Sequence, residues 1–120
     1  MRILFLDDDS NRSRIFIRKY PQAVINVSSE TTITCLINSA WDLVCLDHDL
    51  SSSDNGMKVV EWIIENPELV RVGSFIVHSR NAPFGMEMVR KLSGAGFFSQ
   101  YVPFDERCWA GQEDNFRYQV

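Results

Sequence analysis

The chain has 120 residues, long enough for one domain, and 12 Lys+Arg against 16 Asp+Glu leave a net charge of −4 with both histidines neutral. That acidic balance argues against duplex nucleic acid as a main partner, since gripping a phosphate backbone needs a basic surface, but it admits a small phosphorylated ligand held through a metal ion. Hydrophobic residues make up 45%, which suits a globular core rather than disorder. No apolar run approaches the ~18 residues of a membrane span, so a cytoplasmic domain without membrane attachment is expected.

Arg2 to Leu6 is a short apolar run ending in Asp7, Asp8 and Asp9, the pattern of a buried strand followed by a polar loop. Ser10 or Asn11 can cap a helix to about Lys19, stopped by Pro21. Ala23 to Val27 reads as a second strand. Ser28 or Ser29 can cap the next helix, with Ile33, Leu36, Ile37 and Ala40 at helical spacing. Asp42 to Asp47 is an apolar run bounded by acids, the clearest strand of the chain. A Ser- and Asp-rich loop, His48 to Gly56, precedes a helix over Met57–Asn66 whose inner side carries Val59, Val60, Ile63 and Ile64. Ser74 to Val77 forms a fourth strand, closed by His78 and Ser79. Ala82-Pro83 opens a helix containing Met86, Met88, Val89 and Leu92 and ending at Gly94 to Gly96; Phe97 to Val102 suits a fifth strand. Beyond Pro103 the periodicity fades, although a last helix from about Glu106 is possible. The chain is read as one domain, 1–120. Cys35, Cys45 and Cys108 are odd in number and widely spaced, so buried or incidental thiols are expected rather than a disulfide framework.

Strand and helix alternate throughout, which predicts an α/β fold, a doubly wound parallel sheet with helices on both faces. Sites in such sheets form outside the carboxyl ends of the strands. The polar residues fall there: Asp7, Asp8 and Asp9 after the first strand, Asp47, His48 and Asp49 after the third, His78, Ser79 and Asn81 after the fourth.

Clustered carboxylates repel one another, and a hard divalent cation, Mg²⁺ or Mn²⁺, is the usual offset. Asp7, Asp8 and Asp47 are the best candidate ligands; the plainer alternative is that these acids cap helices and end strands. His48 and His78 can supply a general base and a general acid, with metal ligation or a structural role as alternatives. Ser79 can donate to a phosphate oxygen, and Asn81 can do the same or cap the helix that follows. Arg12 can reach a phosphate or stand as an exposed helix-face charge. Gly85 can allow close backbone approach to an anion at a helix start.

Ile3 to Asp8, Leu46-Asp47 and Val77-His78-Ser79 resemble a response-regulator receiver domain over about residues 1 to 104. That resemblance implies a five-stranded sheet in the order 2-1-3-4-5, with an acid pair and a phosphoacceptor Asp around a divalent metal. A receiver ends its fifth strand with a Lys before a Pro, whereas Val102 stands before Pro103 here, which argues against ordinary phosphoswitching. A closer resemblance is to the cyclic-phosphate processing receiver domain. It rests on Leu6-Asp7-Asp8 with Arg12 shortly after, Cys45 to Leu50, Gly56 and Trp62, Val77-His78-Ser79-Arg80-Asn81, Gly85 and Met88.

The resemblance implies processing of a cyclic phosphate, such as one on a nucleotide or an RNA terminus; taken with the acid cluster and the two histidines, the first reading is metal-dependent hydrolysis of that ester, a phosphodiesterase-type activity. Asp7, Asp8 and Asp47 would hold the metal, and Asp49 would complete its shell or orient a histidine. His48 and His78 would exchange protons beside the catalytic Asp47, and Ser79, Asn81 and Arg12 would bind the substrate. Two other readings compete. One is a signalling receiver phosphorylated on Asp47; the other is a non-catalytic module that binds a cyclic nucleotide or docks on a protein through aromatics such as Trp109, Phe116 and Tyr118.

Overall fold

A computed structural model describes residues 1–105. The apolar runs pair as five parallel strands: β1 (Ile3–Leu6), β2 (Val24–Asn26), β3 (Trp41–Leu46), β4 (Val72–Val77) and β5 (Ser99–Tyr101), in the order β2-β1-β3-β4-β5. The three central strands carry apolar side chains on both faces because helices cover both. One face packs Leu4, Leu6, Val44, Leu46, Phe75 and Val77 under α2 (Ser29–Asn38), α3 (Met57–Glu65) and α4 (Ala82–Gly94). The other packs Ile3, Phe5, Leu43, Cys45 and Ile76 against Phe16 of α1 (Ser10–Lys19) and against Phe104. Cys45 is wholly enclosed, and burial pushes its thiol pKa up, so it stays protonated and inert. Cys108, the helix expected from about Glu106, and Trp109, Phe116 and Tyr118 lie outside the described residues. Among the described residues no helix is long and apolar enough to cross a membrane.

Several boundaries differ from the sequence reading. Asp9, not Ser10 or Asn11, caps α1: its Oδ1 accepts from the Arg12 backbone N–H at 3.0 Å. Ser28 caps α2, which stops at Asn38, so Ala40 lies beyond it and Ile37 faces outward. β3 starts at Trp41 and β4 at Val72, because these two residues pair across the sheet and extend the ladder past the purely apolar runs. β5 is only three residues long, and Phe98 before it is exposed. On α4, Met88 and Leu92 are buried while Met86 faces solvent.

The loop after β3 is tied down at two points. Asp54 accepts from the backbone N–H (2.8 Å) and hydroxyl (2.6 Å) of Ser29 at the start of α2, which holds its carboxyl below the ordinary range although burial opposes this. Asp54→Ala is expected to cost about 1 kcal/mol, read as a lower urea midpoint. Gly56 donates its N–H to the His48 carbonyl at 2.7 Å, and a Cβ there would lie 1.8 Å from the Asp47 carbonyl oxygen. Only a residue without a side chain fits so close to the backbone. Gly56→Ala is expected to destabilise the protein by about 3 kcal/mol or more, because the atom in the way is main chain and cannot rotate aside; equilibrium urea unfolding measures it.

Candidate functional site

The register sets Leu6, Leu46 and Val77 side by side at the carboxyl ends of β1, β3 and β4. The next residues, Asp7, Asp47 and His78, continue the ladder: Asp47 N–H donates to the Leu6 carbonyl at 3.1 Å, and His78 N–H to the Leu46 carbonyl at 2.9 Å. Side chains alternate along a strand, so these three fall on the face of Phe5 and Cys45, while His48 and Ser79 fall on the other. The contacts agree. His78 stacks on Phe5 with ring centroids 4.7 Å apart, and His48 stacks on Phe84 of α4 at 4.4 Å.

Asp7, Asp47 and His78 are buried, with potential ligand atoms all within 4.8 Å of one another. His78 Nε2 donates to Asp7 Oδ2 at 3.0 Å, and Arg12 grips the same carboxylate through Nε at 2.8 Å and Nη2 at 3.1 Å. Burial pushes Asp7 up, but the bonds from His78 and Arg12 outweigh it and bring the pKa down to about 2. Asp47 lacks such support. Burial first, and the neighbouring Asp7 charge next, raise it to about 6, against the attraction of His78 and Arg12. Its Oδ1 accepts the His48 backbone N–H at 2.8 Å; among the described residues its buried Oδ2 takes no hydrogen bond and pairs with Arg12 Nη2 at 3.5 Å. Hydrogen bonding to Asp7 and then the surrounding acids keep Arg12 firmly charged.

The expected site residues therefore divide into two neighbourhoods. Asp7, Asp47, His78 and Arg12 form the buried one. In the other, His48 Nδ1 meets Asp49 Oδ1 at 2.6 Å, and Asn81 Nδ2 approaches the same oxygen at 3.4 Å. Ser79 Oγ accepts the Asn81 backbone N–H at 3.0 Å, leaving its own proton to donate; Asn81 opens α4 without a side-chain capping bond. Asp8 turns aside to the Ser51 hydroxyl, and Asp49 stands with His48, so neither lies within the Asp7–Asp47–His78 group. Gly85 packs against the Tyr101 ring, where a Cβ would fall 2.6 Å from Cε1, so its small size serves packing rather than an anion.

Asp7 and Asp47 fit a hard divalent cation. Two carboxylates at close range, one raised in pKa and offering a buried oxygen that takes no hydrogen bond among the described residues, gain from added positive charge, and their oxygens suit Mg²⁺ or Mn²⁺.

Two features escaped the sequence reading. One is the Phe84 platform under His48, whose only signal was an aromatic in the first turn after Asn81-Ala82-Pro83. The other is the reach of Arg12 across Asp7, Asp9 and Asp47, hinted at by its spacing of three from the cap residue Asp9.

Residues 2–94 match the family model for the cyclic-phosphate processing receiver domain. Among solved structures, the Mn²⁺-bound form of the response regulator Rcp1 superposes with a TM-score of 0.68 at 18% identity, over 99% of this chain and 96% of that one. The non-phosphorylated HemR receiver domain of Leptospira biflexa gives 0.66 at 20% identity, over 88% and 85%. The response regulator TrrA of Thermotoga maritima, in complex with Mg²⁺ and BeF, gives 0.65 at 17%, over 87% and 86%. These likenesses establish a shared fold. No curated protein matches the chain.

Proposed function

The chain belongs to the cyclic-phosphate processing receiver domain family, and on that premise we propose that it hydrolyses a cyclic phosphate ester on a nucleotide or RNA end with the help of a divalent metal. The observation that carries this reading is the buried Asp47 Oδ2 beside Asp7, an oxygen that takes no hydrogen bond among the described residues and is joined through the Asp47–His48 backbone to a histidine–carboxylate pair. Asp7 and Asp47 would hold the metal; Asp8 is bonded instead to the Ser51 hydroxyl. A divalent metal held there would supply positive charge to polarise a phosphoryl oxygen.

The chain's own groups do the rest. Asp49 accepts from His48 Nδ1–H and so presents Nε2 as the basic nitrogen, and the Phe84 ring fixes the imidazole plane. His48 Nε2 takes the proton of a water that attacks phosphorus; the opposite ester P–O bond breaks, the leaving oxygen takes a proton from solvent, and a phosphate monoester results. Ser79 and Asn81 orient the phosphate beside the start of α4. His78, 1% exposed and bonded to Asp7, acts as a positioning residue for that carboxylate.

Purified protein with Mn²⁺, offered a panel of cyclic nucleotides and RNA ends, tests the reading. Turnover of one of them is expected. Binding with intact ligand recovered would instead mark a non-catalytic module, and no effect on any of them would sink the proposal.

A second reading draws on the same oxygen, since an Asp47 Oδ2 that takes no hydrogen bond among the described residues can act as a phosphoacceptor as in a receiver. Val102 stands where that chemistry uses a Lys, and Tyr101 turns its hydroxyl to the Ser79 carbonyl at 2.7 Å. Acetyl phosphate with Mg²⁺ separates the two: a stable, acid-labile adduct on Asp47 would favour the receiver.

A further inference from the structure

On the α1 side of the sheet, a cavity of about 300 Å³ opens between α1 and the outer strand β2. Its apolar wall is Ile17 from α1 with Ile25 and Val27, two residues apart along β2 and beyond, so both face the helix. Val27 is 59% exposed, a large apolar surface at the rim. Ser10 and Ser13, three apart and thus on one side of the helix, add hydroxyls along one edge. The cavity ends on Asp7, one carboxylate of the candidate metal centre, and on its neighbour Asp8, which is bonded to Ser51. Arg14 lies at the rim, its guanidinium engaged by Asn11 Oδ1 at 2.8 Å.

We propose that this groove is the nucleoside subsite of that centre: a base lies between Ile17 and the Ile25–Val27 edge, its polar rim meets Ser10 and Ser13, and its ribose carries the cyclic phosphate toward the carboxylate end. The inference rests on the cyclic-phosphate reading and narrows its substrate class. A nucleoside suits the groove because it combines a flat apolar body, hydrogen-bonding edges and a phosphate one sugar away. The volume sits at the lower end of the ~300–1,000 Å³ span of small-molecule sites, room for one nucleoside and not for two stacked ones. The terminal nucleoside is recognised, whether free or at the end of an RNA.

Calorimetry on the full chain with Mn²⁺ tests this, using nucleoside 2′,3′-cyclic phosphates, the matching nucleoside monophosphates, a short RNA with the same 3′ end, and ethylene cyclic phosphate, which has no nucleoside. The cyclic nucleotide is expected to bind at least tenfold more tightly than ethylene cyclic phosphate. Ser13→Trp, which fills the groove from the helix, is expected to erase that advantage while leaving Mn²⁺ affinity and ethylene cyclic phosphate binding unchanged. Val27→Ser, at an exposed position with little packing to lose, is expected to weaken nucleotide binding severalfold and serves if the Trp variant fails to fold. The RNA arm tells a free nucleotide from a chain end, and groove sensitivity in either supports the subsite.

Equal affinity for ligands with and without a base would overturn the proposal. So would a base advantage that neither variant touches, which would place the base elsewhere, for instance on the open face of Phe84. Binding of monophosphates but not cyclic phosphates, still sensitive to Ser13→Trp, would uphold the groove and reject the cyclic-phosphate reading. If no nucleotide binds, both fall.

Discussion

Asp47→Asn is expected to make the metal-free protein more stable and at the same time abolish its response to divalent metal. The Asp47 carboxyl is raised from 3.8 to about 6, chiefly by burial and then by the charge of Asp7. A group whose pKa is higher in the folded state favours folding below its unfolded pKa and loses that contribution as pH rises through the folded value. At pH 7 the ionised side chain therefore costs the fold on the order of 2–3 kcal/mol relative to a neutral one. An amide keeps the acceptor for the His48 N–H and removes the charge. The gain over wild type should be near zero at pH 4, grow between pH 4 and 6, and be complete by pH 7, raising the Tm there by roughly 5–15 °C. Asp7 has the opposite sign. Brought down to about 2 by His78 and Arg12 against burial, it contributes fully above pH 3.8 and is lost only as pH falls toward 2. Saturating Mn²⁺ should raise the Tm of the wild type by mass action and leave the variant unmoved. Thermal melts across pH, with and without Mn²⁺, give both halves; a variant less stable than wild type at pH 7 would show that the charge is already neutralised.

The second large effect separates the two histidines. His48→Ala is expected to lower turnover by roughly two to four powers of ten, the usual contribution of a positioned general base, with Mn²⁺ affinity intact. Asp49→Asn should cost part of that, and the double variant little beyond His48→Ala, because a base and its orienting carboxylate act as one unit. His78→Ala should instead weaken Mn²⁺ binding about 10–100-fold, since it strips Asp7 of the donor 3.0 Å from Oδ2. Calorimetric Mn²⁺ titration beside single-turnover rates resolves the split. Normal turnover in His48→Ala would make that imidazole structural, and loss of metal there would put it among the ligands.

The fold was legible in the residues because parallel, doubly covered strands must be apolar on both faces. Ile3 to Leu6, Leu43 to Leu46 and Phe75 to Val77 have no other use for so many buried side chains. The same runs end in Asp7, Asp47 and His78, and strand ends are where such sheets keep their chemistry, so the candidate residues could be named from sequence. Edge elements were less visible. β5 is three residues long and half-buried, and local propensity says little about a strand whose position is set by pairing to β4.

What the chain could not disclose by itself is which of those residues meet. His48 and His78 occupy equivalent places in the sequence, each one or two residues past a strand, yet strand alternation turns one toward Phe84 and the other toward Phe5. The three consecutive acids look alike as letters, but their surroundings differ: Asp7 is enclosed under Arg12 and His78, Asp8 reaches Ser51, and Asp9 caps α1. Asp7 and Asp47, forty residues apart in the chain, become neighbours only through the β1–β3 register, and the pKa values of about 2 and about 6 follow from that contact and from burial. Composition and periodicity determine which residues are buried and where strands end. Solvation, charge and hydrogen bonding at the site depend on distances across the chain, and only the tertiary structure sets those.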